Sequence, residues 1–128
     1  LREMDPIEHD QHITYVSHLS HITSYMLGKT VMEKEKDQSA ISDMAGSGFS
    51  STVRLAKSSP NMWVPIFKQN KENISKTLSQ YINNLNQFKQ LLDADKFEEL
   101  HEQILEINKI SLILDGITNT TKINKNGK

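Results

Sequence analysis

The chain has 128 residues, enough for one domain with its own core but not for two of ordinary size. Its formal net charge of −1 provides no positive surface for nucleic acid or an anionic membrane. The absence of cysteine excludes disulfides and thiolate metal sites and fits a reducing compartment, so we expect a cytoplasmic protein. No apolar run approaches the roughly 18 residues of a membrane span, and the low content of proline and glycine predicts an all-α fold.

A long helix is predicted near the N-terminus. Asp5 is placed to cap it, Pro6 suits its first position, and nothing before about Lys34 interrupts it except Gly28. Its apolar residues spread over most of the circumference, which predicts a buried helix. Burying polar groups without partners is costly, so we expect those of the remaining sector to face each other, water or a ligand. That sector holds Asp10, Thr14, Ser17, His21, Ser24 and Gly28.

The middle of the chain is predicted to form short helices around a glycine-rich loop. These are a helix over 37–44, the loop Ala45-Gly46-Ser47-Gly48, a helix over 49–58, and a helix that starts at Ser59-Pro60. Pro65 follows too soon to lie deep in a helix, so we expect one turn carrying Met62 and Trp63 and then a bend.

The last third is predicted to be a long helical hairpin. Apolar residues recur at spacings of three and four over 72–92 and 97–114, with Asp95 as the expected cap of the second helix. Two such helices joined by a tight turn predict an antiparallel pair with an apolar stripe on each arm. Residues 1–117 should therefore form one helical domain, and the polar residues 118–128 a disordered tail.

Ser17 and His21 are the first candidates for ligand contacts. They are four residues apart and share one face of the helix, whereas His18 points about 100° away from Ser17. A hydroxyl and an imidazole on one face suit a single polar or anionic group. The alternative is a core histidine whose hydrogen bonds are satisfied within the protein.

Arg54 and Trp63 are two further candidates. Arg54 is the only arginine besides Arg2, and a guanidinium binds a carboxylate through two parallel bonds, which lysine does poorly. The alternative for Arg54 is a surface salt bridge. Trp63 is the only tryptophan, and its alternative is an anchor of the core or of an interface.

A metal site is weakly supported. Zinc needs three or four convergent ligands, while these histidines spread around the helix and no cysteine helps. The doublet His9-Asp10 also occurs in metal-dependent phosphohydrolases of the HD type, which need further ligands on other helices. We therefore expect no metal. The possible metal ligands are His9, Asp10 and His12, or His18 and His21.

Five motifs follow one another in this chain: His9-Asp10, Ser17-His18-Leu19-Ser20-His21, Ala45-Gly46-Ser47-Gly48-Phe49, Arg54-Leu55-Ala56 and Ser59-Pro60-Asn61-Met62-Trp63. In this order and spacing they resemble the C-terminal helical dimerisation domain of the prephenate dehydrogenase family. The family's N-terminal Rossmann domain is expected to be absent from this chain. The resemblance implies oxidative decarboxylation of prephenate or arogenate with NAD or NADP, giving 4-hydroxyphenylpyruvate or tyrosine, as a step of tyrosine biosynthesis.

The resemblance also implies an intertwined homodimer, with each site formed by the nucleotide domain and the helices of both subunits. Carried over by motif, Ser17 and His21 would line the substrate pocket. Arg54 would bind a substrate carboxylate, in its own subunit or across the dimer, and Trp63 would support that region. The nucleotide fingerprint and the histidine that activates the substrate hydroxyl would belong to the missing domain, which would bind most of the nucleotide. This fragment would then hold no catalytic residue and be inactive alone.

The chain departs from the family pattern at two positions. Ser20 replaces the usual proline, and Ser51 replaces an acidic residue that often stands three positions before the arginine. An ion pair that would hold Arg54 from that position is therefore in doubt. The other hypothesis is a stand-alone all-α interaction or dimerisation module without catalytic activity, whose reading frame would lack an upstream glycine-rich βαβ unit.

Overall fold

The computed structural model describes residues 5–44 and 46–116, with only the backbone of Met44 and Ser47. Within these ranges the chain is helical and contains no strand, so the predicted all-α fold is confirmed. Ala45 of the predicted loop and the predicted tail at 118–128 lie outside the described residues. The elements in chain order are α1 (Pro6–Ile13), a π-helical turn (Thr14–His18), α2 (Leu19–Lys34), α3 (Gln38–Met44), α4 (Ser47–Thr52), a 3₁₀ helix (Arg54–Lys57), α5 (Pro60–Gln69), α6 (Lys71–Asp93) and α7 (Phe97–Ile107).

The first three elements form one continuous helix, as predicted. The Asp5 carboxylate caps it by accepting hydrogen bonds from the backbone N–H groups of Ile7 and Glu8, at 2.9 and 3.1 Å. Within it, the Leu19 N–H donates to the carbonyl of Thr14, five residues back, which is the hydrogen bond of a π turn. Such a turn is wider than an α turn, so it changes which side chains share a face beyond it.

The buried side of this long helix is polar. Its buried residues are Thr14, His18, His21 and Ser24. The prediction that the helix is buried on nearly all sides is therefore wrong for this chain by itself, because neighbouring elements pack mainly against the polar stripe. Large apolar side chains of the helix are exposed instead, at 72% for Ile7, 56% for Tyr15, 75% for Val16, 51% for Met26 and 67% for Met32.

Hydrogen bonds from α2 determine the shape of the segment that precedes α5. The Ser24 hydroxyl donates to the Thr52 carbonyl at 2.6 Å. In an uninterrupted α-helix that carbonyl would accept from the Ala56 N–H. Here the Ala56 N–H donates to the Val53 carbonyl at 2.9 Å, three residues back, and the backbone turns into a 3₁₀ helix. The predicted single helix over 49–58 is thus corrected to α4, which begins already at Ser47, and the 3₁₀ helix.

Helix α5 continues through Pro65, so the predicted bend at that position is wrong. Ser59 stands at the N-cap position and Pro60 at the first position, as predicted, although the Ser59 hydroxyl does not bond to the first turn. Pro65 lacks the N–H that would donate to the Asn61 carbonyl. Asn61 is exposed, so water can bind that carbonyl and the helix tolerates the proline.

The chain divides into two compact units, Leu1–Tyr81 and Ile82–Lys128. In the second unit a tight turn ends α6. Asp95 has a φ of 58°, its N–H donates to the Leu92 carbonyl at 3.2 Å, and the Lys96 N–H donates to the Leu91 carbonyl at 2.8 Å. This pair of bonds is a Schellman motif, in which a residue in the left-handed conformation ends a helix. The prediction that Asp95 caps α7 is therefore wrong, since Lys96 occupies that position.

Helix α7 ends at Ile107, earlier than predicted, and after a turn at Asn108 the chain is helical again over 109–116. Leu100 is buried. The antiparallel packing of the predicted hairpin stays a prediction. Among the helices of the described ranges, none is long and apolar enough to cross a membrane. Exposed large apolar side chains of this unit are Ile82, Leu85, Phe88, Leu92, Phe97, Ile104, Leu105, Ile107, Ile110, Leu112, Ile113 and Leu114.

Candidate functional site

Trp63 of α5 lies at the centre of an aromatic cluster in the first unit. The His21 ring is stacked on it, with the ring centroids 3.4 Å apart and the planes at 23°. The His18 ring meets it edge-on, at 6.0 Å and 83°, and Phe67 lies 5.8 Å away at 52°. These contacts join α5 to the π turn and to α2. Two histidines from the first helix thus hold one indole ring in place.

One ring nitrogen of His21 is hydrogen-bonded within the protein, and the other has no hydrogen-bond partner among the described residues. Its Nδ1 lies 3.0 Å from the Ser17 carbonyl oxygen, and because a carbonyl only accepts, Nδ1 carries the hydrogen. In the neutral ring Nε2 is then an acceptor. Within the described ranges Nε2 meets no hydrogen-bond partner, and no buried side-chain nitrogen or oxygen is left without one. Nε2 therefore has some contact with solvent, although His21 as a whole is only 9% exposed.

His18 belongs to a buried polar network with Thr14 and Asn70. The Thr14 hydroxyl donates to the Asp10 carbonyl at 2.7 Å. The amide nitrogen of Asn70 lies 2.6 Å from the Thr14 hydroxyl oxygen, 3.2 Å from the Asp10 carbonyl oxygen and 3.2 Å from His18 Nδ1. This network fastens the junction of α5 and α6 to the first helix.

The protonation of His18 is set by its surroundings. Burial lowers the pKa of His18 below its ordinary value, and the charge that His21 would carry lowers it further, while Asp10 acts in the opposite direction. His18 is therefore mainly neutral near pH 7, which agrees with its role as an acceptor toward Asn70.

Of the four predicted site residues, the structure brings together the side chains of His21 and Trp63, which are stacked. Ser17 is half-buried and contacts His21 through its backbone carbonyl, not through its hydroxyl. Arg54 is exposed at the start of the 3₁₀ helix and pairs with no carboxylate that the structure describes. It stays near α2 because Ser24, one turn after His21, holds the chain two residues before Arg54.

A family model described as the prephenate dehydrogenase dimerization domain matches residues 5–106. The chain belongs to this family. The resemblance seen in the sequence motifs is thereby confirmed.

Three similar proteins are each much longer than this chain. It is 30% identical over 98 residues to prephenate dehydrogenase of Bacillus subtilis (strain 168), which covers 77% of this chain and 26% of that protein. The crystal structure of A. aeolicus prephenate dehydrogenase in complex with hydroxyphenyl propionate and NAD+ matches with a TM-score of 0.78 and 33% identity, covering 88% of this chain and 40% of that one. The structure of Synechocystis arogenate dehydrogenase matches with a TM-score of 0.77 and 27% identity, covering 84% and 40%. This chain thus spans less than half the length of each.

The sequence did not indicate the roles of His18 and Asn70 in this family member. A uniform helical wheel turned His18 away from the site, whereas the π turn brings it into the buried stripe in place of Ser17. Asn70 directly follows α5, and asparagine is common at such positions because it tolerates the backbone conformations of turns. Its presence there therefore did not suggest a role for its side chain. The only sequence feature that could have pointed to Asn70 was its position between two helices.

The described residues form neither a dinucleotide site of the common type nor a cluster of metal ligands. A dinucleotide site of the common type needs a glycine-rich turn between a strand and a helix, and the described ranges contain no strand. In the same ranges, no three histidine, aspartate or glutamate side chains converge as metal ligands. The described side chains offer hydrogen bonding at His21 Nε2 and charge pairing at Arg54.

Proposed function

We propose that this chain is the dimerisation and substrate-binding part of an enzyme that oxidatively decarboxylates prephenate or arogenate with NAD(P). The product would be 4-hydroxyphenylpyruvate or tyrosine. Membership of the family and the names of similar proteins support this reaction. The observation that carries the binding role is the open Nε2 edge of His21, held by Trp63 and the Ser17 carbonyl.

His21 and Arg54 supply complementary groups for such a substrate. Prephenate carries a ring hydroxyl and two carboxylates. Neutral His21 accepts a hydrogen bond at Nε2 from a hydroxyl, and protonated His21 donates one to a carboxylate. Arg54 binds a carboxylate through two parallel N–H bonds. Trp63 fixes the plane of the imidazole and so the direction in which Nε2 points.

We propose that the nucleotide binds mainly to a part of the enzyme other than these helices, since the described ranges contain no strand that could carry the common glycine-rich turn. When bound, NAD(P) would accept the hydride of the oxidation. The residues of this chain bind and orient the substrate, and no step of proton or hydride transfer is assigned to them.

We also propose that two copies of the chain form a homodimer. Both units expose apolar side chains, including Val16 at 75% in the first and Leu112 at 69% in the second. Exposed apolar surface on this scale marks an interaction site in a protein that remains in solution. A second copy is the occupant that the description of the matching family as a dimerization domain supports.

The Arg54→Ala substitution in the complete enzyme that contains these residues tests the carboxylate assignment. Losing a charge-assisted bidentate contact of about 1.5–3 kcal/mol should raise KM for prephenate roughly 10- to 100-fold. KM for the nucleotide should not change. Lys57→Ala is the matched control, since Lys57 is also exposed and lies on the same 3₁₀ helix.

Three outcomes would contradict parts of this proposal. Equal rises in KM for substrate and nucleotide would remove Arg54 from the carboxylate. A wild-type enzyme that reduces neither NAD+ nor NADP+ with prephenate or arogenate would favour a non-catalytic dimerisation module. A monomer in light scattering at micromolar concentration would overturn the homodimer.

A further inference from the structure

Asn70 is oriented by contacts on both sides of its amide. Its Oδ1 accepts a hydrogen bond from Asn73 Nδ2 at 2.8 Å. Its NH2 group therefore faces the first helix, where the Thr14 hydroxyl, the Asp10 carbonyl and His18 Nδ1 lie within hydrogen-bond distance. Two amide hydrogens are shared among three acceptors, so one of these bonds is bifurcated.

This orientation determines the tautomer of neutral His18. An NH2 group only donates, so His18 Nδ1 must accept, and in the neutral ring the hydrogen lies on Nε2. A proton on Nδ1 would place two donors face to face at 3.2 Å. The charged or titratable groups that act on His18 are His21, which opposes its protonation, and Asp10, which favours it. Trp63, on α5, is uncharged.

His18 in turn contacts the indole ring of Trp63, on which His21 is stacked. It meets the Trp63 indole edge-on, while His21 covers the face of the same ring. A change in the position or charge of His18 is therefore transmitted to the Trp63–His21 stack. His18 is 6% exposed, so solvent does not compensate for the loss of its partner.

We propose that Asn70 is a positioning residue of the substrate site. By donating to Nδ1 it fixes Nδ1 as the acceptor of neutral His18, and His18 then holds Trp63 in the orientation that His21 needs to present Nε2. The inference rests on the proposed function for the identity of the ligand, but the link from Asn70 to His18 and Trp63 can be measured without any ligand.

The Asn70→Asp substitution reverses the hydrogen-bond direction with little change in size. A carboxylate accepts, so His18 Nδ1 becomes a donor, and NMR of the histidine rings in this chain should show His18 titrating above 6.5 instead of below it. The fluorescence of Trp63, the only tryptophan, should change with the same midpoint. Asn84→Asp is the control, since it adds the same charge at an exposed position of α6 and should leave both readouts as in the wild type. An unchanged titration of His18 in Asn70→Asp would overturn the proposal.

Kinetics of the complete enzyme test the consequence for the site. Asn70→Asp should raise KM for prephenate at least about tenfold near neutral pH, with KM for the nucleotide unchanged. An unchanged KM for prephenate would overturn the positioning role. If the wild-type enzyme used neither prephenate nor arogenate, the proposed function would fail, while the NMR result would still decide the link from Asn70 to His18.

A second pair of variants applies if Asn70→Asp does not fold. His18→Asn places an oxygen acceptor near the position of Nδ1, whereas His18→Leu has a similar bulk and no acceptor. The leucine variant should have a KM for prephenate about tenfold higher than the asparagine variant. Equal values would overturn the role of the neutral acceptor.

Discussion

The Ser24→Ala substitution tests whether the polar stripe of the first helix holds the segment that leads to Arg54. Ser24 is 3% exposed, and its hydroxyl donates to the Thr52 carbonyl at 2.6 Å. Alanine leaves that carbonyl without this donor, which costs about 1–3 kcal/mol, and regains about 0.5 kcal/mol of helix propensity. The free energy of unfolding should therefore fall by about 0.5–2.5 kcal/mol. In the complete enzyme, KM for prephenate should rise as well, because Arg54 loses its anchor to α2.

Ser20→Ala is the matched control on the same helix. The Ser20 hydroxyl donates to the Val16 carbonyl at 3.0 Å, one turn back, so its loss frees no other segment. This variant should change the free energy of unfolding by less than about 0.5 kcal/mol. Urea denaturation at one fixed protein concentration measures both variants, since association of subunits would add to the measured stability. Equal destabilisation by Ser24→Ala and Ser20→Ala would refute the reasoning.

Two further predictions concern the turn after α6 and the effect of acid. Asp95→Gly should raise the free energy of unfolding by about 0.5–1 kcal/mol, because glycine adopts the φ of 58° without the strain of a Cβ atom; a loss of stability in urea would contradict this. His18 has a folded-state pKa below the 6.5 of the unfolded chain, so its contribution to stability should be complete above pH 6.5 and decline as the pH falls from there toward the folded pKa. Urea titrations over this range should show a smaller decline for His18→Asn than for the wild type, and an equal decline would count against the assignment.

Local signals in the sequence predicted most of the helices. Helix α6 was predicted over 72–92 and spans Lys71–Asp93, and the cap at Asp5 was read from the Asp5-Pro6 pair. Both depend on residues a few positions apart, so the sequence alone contains the information. The break after Thr52 depends on a hydroxyl 28 residues away, and no local pattern indicates it. Pro65 does not end α5, because it removes a single hydrogen bond whose acceptor belongs to the exposed residue Asn61.

The candidate site was predictable as a set of residues but not as a geometry. The ordered motifs identified Ser17, His21, Arg54 and Trp63, and the structure joins His21 to Trp63 by direct stacking. The roles of these residues in binding stay a proposal. Asn70 could not be found in the same way, because it acts on a carbonyl 60 residues away in the chain.

In the first helix the polar side is buried and large apolar side chains are exposed. This arrangement can be understood from the different contributions of polar and apolar contacts to geometry and to stability. Hydrogen bonds between buried groups have strict geometry, so a network such as Asn70–Thr14–His18 fixes one arrangement of the helices even though it contributes little net stability. Apolar burial contributes more free energy but tolerates different packings. In the proposed homodimer, polar contacts fix the geometry within each chain, and apolar contacts stabilise the association of the two chains. Contacts within one chain orient His21 and Trp63, while the exposed apolar side chains remain available to stabilise the association of two chains.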